Sequence, residues 1–102
     1  MNIILVQLNQ LFERIPRRHS ADNVKEIYDI LDTYEDLLRE IEKEPAYEQE
    51  IALFFNELDP IRALVKKSAD NKAGKKLKDT LFDEASGNLK DTMEALKQLY
   101  QQ

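Results

Sequence analysis

The chain has 102 residues, enough for one hydrophobic core and too few for two, so residues 1–102 are expected to form a single helical-bundle domain. With 34% charged residues, 42% hydrophobic, two glycines and three prolines, long helices are favoured over a turn-rich β architecture. The net charge of −5 weighs against a protein devoted to a phosphate backbone, and the absence of cysteine excludes disulfides, thiolate metal sites and cysteine nucleophiles.

Charge is unevenly spread along the sequence. Between Lys25 and Asp59 there are twelve acids against three bases, and between Arg62 and Lys78 seven bases against one acid. The longest apolar run, Ile3 to Val6, is far short of a membrane span or a signal-peptide core, so a cytoplasmic location with no membrane partner is expected.

The first predicted helix covers 2–15. Ile4, Leu8, Leu11 and Ile15 form its apolar stripe, Leu5 and Phe12 widen it, and Pro16 ends it. A basic connector, Arg17-Arg18-His19, leads to Ser20 or Asp22 as the cap of a second helix over 20–44. Val24, Ile27, Leu31, Tyr34, Leu38 and Ile41 are a heptad seam, with Tyr28, Ile30 and Leu37 flanking it. A face that wide touches two neighbours, which makes this the central helix.

Pro45 turns the chain into a third helix over 46–67. Its register of Tyr47, Ile51, Phe54, Leu58, Ile61 and Val65 continues across Pro60, so a kink is expected there, with Asp59 as a cap if the helix restarts. Ser68 to Gly74 is turn-like. A fourth helix over 75–100 puts Leu77, Leu81, Ala85, Leu89, Met93, Leu96 and Tyr100 on one face with Phe82 beside them, and Ser86-Gly87 on the polar side. The fold class is therefore all-α, an antiparallel four-helix bundle. Because the first helix is short, part of the groove between the long ones is expected to invite a partner helix or a second copy.

No arrangement of residues points to catalysis, a cofactor or a metal. The carboxylates Asp29, Asp32, Asp36 and Glu40 fall on outward heptad positions. They lack the inward Glu-x-x-His pairs of a di-iron bundle and the pocket-facing Glu-x-x-Glu pairs of helical nucleotide pyrophosphatases. They read as a solvated acidic face or a docking surface for a basic protein. His19, the one histidine, reads as an exposed loop residue without the positioned partner that acid–base work needs.

Arg17 and Arg18 before a helix start could hold an anion. Lys66, Lys67, Lys72, Lys75, Lys76 and Lys78 could contact phosphates, but no aromatic residue or arginine is interleaved for base reading, and complementing the acidic middle, within the monomer or between two copies, is the stronger expectation. Ile3, Val6, Leu53 and Phe55 exceed what the apolar stripes require and mark a surface for contact.

These features together predict a non-enzymatic protein-interaction module: an adaptor, inhibitor, immunity protein or chaperone that binds a partner protein or forms a homodimer. The alternative is a nucleic-acid-associated regulator acting through residues 66–78. The run Ile27-Tyr28-Asp29-Ile30-Leu31-Asp32, continued by Glu35-Asp36-Leu37-Leu38-Arg39-Glu40-Ile41 and a proline-containing turn, resembles the helical pattern of small flagellar export chaperones over less than half the chain. That resemblance implies an export-chaperone role.

Overall fold

The computed structural model describes residues 3–101, and within them four helices: α1 (Ile3–Arg14), α2 (Ala21–Glu42), α3 (Glu48–Ser68) and α4 (Lys75–Gln101). The predicted helices match them closely, although the start expected at Asn2 lies outside the described residues. Each helix packs on its neighbours in a ring: α1 on α2 and α4, and α3 on α2 and α4. Chain direction alternates, since Arg14 at the end of α1 meets Glu26 near the start of α2, and Tyr47 just before α3 stacks on Tyr100 at the end of α4. This is an antiparallel bundle, 45 × 24 × 17 Å. The short first helix is seated in it, with Leu8 and Leu11 buried.

The core fills the centre of the ring. Ile27, Ile30, Leu31, Tyr34, Leu38 and Ile41 of α2 are buried, together with Ile51, Leu58, Ile61 and Val65 of α3 and Phe82, Ala85, Leu89, Met93 and Leu96 of α4. A fully buried aliphatic or aromatic side chain of this kind contributes about 1.5–3 kcal/mol relative to its exposed state. Tyr34 is the largest of these residues, and its hydroxyl donates across the bundle to the Thr92 carbonyl of α4 at 3.4 Å. Burial pushes its phenol well above its ordinary pKa; the Thr92 hydrogen bond offsets part of that shift and the charge of Glu57 adds to it.

The helix ends follow local chemistry. Ser20 Oγ accepts from the Asn23 amide at 3.0 Å and caps α2. Pro45 opens a 3-10 turn, Pro45–Tyr47, from which α3 continues. The turn after α3 closes on Asp70, whose Oδ1 accepts from the Lys72 amide at 2.9 Å. The Lys78 amide donates to the Gly74 carbonyl at 2.9 Å, which starts α4. Residues 69–74 are thus a loop, as the turn-like composition predicts.

The register that continues across Pro60 holds, and three other expectations are revised. The third helix runs through Pro60 as one α-helix, so Asp59 caps no restart. Pro60 and Asn56 are both exposed, which leaves the Asn56 carbonyl, deprived of its amide donor, in contact with water. Leu77 is 52% exposed instead of lying on the core stripe of α4. Steps of four residues drift about 40° around a helix of 3.6 residues per turn, so three such steps carry Leu77 about 120° from the face of Leu89. The true stripe mixes three- and four-residue steps through Phe82, Ala85, Leu89, Met93 and Leu96, and Phe82 takes the place assigned to Leu77.

Ser86 is buried, not on the polar side, and its hydroxyl donates to the Pro16 carbonyl at 2.8 Å. His19 is half-buried, with its ring edge-on to Phe82 at a centroid distance of 5.8 Å. The connector between α1 and α2 is consequently fastened onto α4.

Candidate functional site

The acids of α2 point outward as their heptad positions require, and they are engaged within the molecule. Arg14 of α1 reaches Glu26 at 2.6 Å and Asp29 at 2.8 Å. Those two hydrogen bonds, Asp29 first, raise the already high pKa of its guanidinium. From α3, Arg62 reaches Asp32 at 3.0 Å and Glu35 at 3.5 Å. Within α2 itself Arg39 pairs with Glu35 and with Asp36, and Lys43 pairs with Glu40 at 3.1 Å. Asp29, Asp32, Asp36 and Glu40 therefore form a belt stitched by cations from three helices. Exposed pairs of this sort are each worth about 0–1 kcal/mol, so the belt orients helices more than it stabilises them.

The lysines after α3 take no part in this belt. Within the monomer, Arg14 and Arg62 and not the 66–78 stretch complement the acidic middle. Among the described residues, no carboxylate lies within ion-pair distance of Arg17, Arg18, Lys66, Lys67, Lys72, Lys75, Lys76 or Lys78. The antiparallel topology brings these cations to one end of the bundle, because the connector before α2, the end of α3, the loop 69–74 and the start of α4 all lie there.

Residues 16–25 and 66–83, which make up that end, carry nine lysines and arginines against four acids. The rest of the chain carries six against sixteen. The molecule is thus divided into a cationic end and an acidic body.

Two concavities lie at the cationic end. One, of about 640 Å3, is lined by Arg17, Arg18, His19 and Lys75, with Asp79 and Asp83 among them. It brings together residues nearly sixty positions apart in sequence, and the fastened connector sets its shape: Asn23 Nδ2 donates to the Arg18 carbonyl at 2.7 Å, while Ser86 holds Pro16. The other, of about 410 Å3, lies at the end of α3 and is lined by Ala63, Lys66, Lys67 and Asp70. Sequence reading picked out Arg17 and Arg18 and the lysines separately. Their convergence had no signal in the sequence, since it depends on Ser86 and Phe82 of α4 receiving the connector.

Of the surplus apolar residues, Ile3 is 69% exposed, Leu53 65% and Val6 36%. Phe55 is half-buried against the core and so leaves that set. Ile3 and Val6 share a face of α1, whereas Leu53 lies on α3, which is diagonal to it, so they are two separate surfaces. Leu53 is one turn from Glu50 and from Glu57, both exposed, so it stands among carboxylates.

The described residues include no group of three or more His, Asp or Glu placed to hold a metal ion, and no helix long and apolar enough to cross a membrane. Comparison with known proteins finds no match: no family model, no curated protein and no solved structure is significantly similar to this chain.

Proposed function

We propose that this bundle is a non-enzymatic protein-interaction module that docks a partner protein on its acidic, partly apolar helical surface. The observation that carries the reading is Leu53, a leucine 65% exposed on a helix whose core positions are otherwise well filled, with Glu50 and Glu57 one turn away on either side. An exposed aliphatic anchor bordered by like charges fits a partner that offers an apolar pocket with basic residues around it. Ile3 and Val6 provide a second, smaller apolar patch on α1. The acids of α2 belong to the same surface chemistry, but their pairing with Arg14, Arg62 and Arg39 gives them a structural task first.

The test is co-purification from the native host after chemical cross-linking, with wild type compared against Leu53→Glu. A stoichiometric protein partner retained by the wild type and lost from the variant is the expected result. Identical partners for both proteins would contradict the reading, as would a wild type that stays free of any protein partner and of any second copy of itself.

A further inference from the structure

We propose that the cationic end docks a flexible acidic segment of a partner protein, with carboxylates held by Arg17, Arg18 and Lys75 in one concavity and by Lys66 and Lys67 in the other. This rests on reading the chain as a protein-interaction module and adds a second surface to it, opposite in charge to the one around Leu53.

Two observations separate these cations from an ordinary solvated patch. Arg14, Arg39 and Arg62, in the acidic body, are all ion-paired, whereas among the described residues no carboxylate lies within ion-pair distance of Arg17 or Arg18. The first turn of α4 also has the wrong charge for its own stability. Lys75, Lys76 and Lys78 follow Gly74, whose position as cap offers the free amides no side chain, and the positive end of a helix dipole disfavours added cations. Folding alone would favour acids in that turn. An incoming anion reverses the penalty, because it meets the lysines and the free amides together.

The layout then selects among polyanions. The cations sit in two concavities, with Lys72, Lys76 and Lys78 exposed or half-exposed on the loop and first turn of the same end. A flexible chain can bend from one concavity to the other. Single-stranded nucleic acid is flexible too, but its affinity leans on aromatic stacking, and the His19 ring is already turned onto Phe82. Asp79 and Asp83 inside the larger concavity repel phosphates and carboxylates alike, but a peptide carries backbone amides that can donate to them and a phosphate backbone has none. The acidic body behind the end, with sixteen acids against six bases, further disfavours a long polyanion that runs past it.

The connector presents its two arginines on a backbone already fastened by Ser86 and Asn23, so little ordering remains to be done when the segment binds.

The experiment measures fluorescence anisotropy of a labelled synthetic glutamate-rich peptide against the full chain, at low and at physiological salt. A single-stranded oligothymidine and a mixed-sequence duplex of matched length are run beside it. The expected result is that the peptide binds best and that salt weakens it. Arg17→Glu/Arg18→Glu/Lys75→Glu and Lys66→Glu/Lys67→Glu should each lower its affinity by at least about tenfold, with unchanged circular dichroism. If a reversed variant fails to fold, the neutral set Arg17→Gln/Arg18→Gln/Lys75→Gln should give a smaller loss in the same direction.

Tighter binding of either oligonucleotide than of the peptide overturns the proposal in favour of nucleic acid. Absence of peptide binding, or binding indifferent to the substitutions, overturns it outright. If the peptide does not bind while the wild type holds a native partner that Leu53→Glu loses, the cationic end is refuted and the interaction module stands. If the wild type holds no protein partner and no peptide, both fall.

Discussion

Arg14 and Arg17 are three residues apart and do opposite things. Arg14 ends α1 clamped between Glu26 and Asp29, and Arg17 opens the connector with no carboxylate of the described residues within ion-pair distance. The same contrast separates the two regions: the arginines of the body, Arg14, Arg39 and Arg62, are all ion-paired, while among the described residues the cations of the far end lie within ion-pair distance of no carboxylate. Those ion pairs help to orient the helices around an apolar core. The cations of the end make no such pair among the described residues, and those at the start of α4 face the positive end of its dipole. The difference teaches that net charge is a poor guide to the surface of this protein. An overall acidic chain hides a basic pole, and the two poles call for different partners.

The largest effect that separates the regions is in packing. Leu89→Ala, at a site without solvent exposure in the body, should destabilise by about 2–5 kcal/mol in denaturant unfolding. Leu77→Ala, at the cationic end, should stay within about 0.5 kcal/mol of wild type. Equal losses from the two substitutions would erase the distinction between a packed body and an end left open for contact.

A second effect belongs to the body alone and depends on pH. The Tyr34 phenol has its pKa raised in the folded state by burial, so the unfolded chain ionises first. The stability this buried neutral phenol contributes is complete below the unfolded value of about 10 and is lost as pH rises beyond it. Tyr34→Phe should be less stable than wild type by up to about 1 kcal/mol at neutral pH, since its hydrogen bonds to Thr92 are long. Above pH of about 10 the gap should close, because the variant has no phenol to ionise there. Parallel stability curves for the two proteins through that range would show that Tyr34 is not held neutral in the core.

Much of the fold was legible because the apolar spacing is regular. The Val24 to Ile41 seam, the stop at Pro16 and the cap at Ser20 are local signals, and each lies where the sequence puts it. Leu77 was misread because a row of equal four-residue steps looks like a stripe on paper and winds off the face on a real helix.

Ser86 and Thr92 were not legible as core residues. A buried hydroxyl is tolerated only where a partner waits, and the partners, the Pro16 carbonyl and the Tyr34 hydroxyl, are supplied by distant parts of the chain. The acidic face could be placed but not its use, because whether a carboxylate is free or clamped depends on which arginine the neighbouring helix presents. The cationic end was visible only as separate fragments, two arginines in a connector and a row of lysines after α3. Topology joins them.

The claim that the cationic end is kept for contact and not for folding is tested most directly by the thermal stability of Lys75→Glu/Lys76→Glu at low salt. Replacing two cations by acids at the positive end of α4 should stabilise the protein by about 1 kcal/mol. For a domain of this size that is a rise of about 4–8 °C in Tm. A fall in Tm would show that these lysines hold the bundle together, and would contradict the reading of the cationic end as a surface kept for contact.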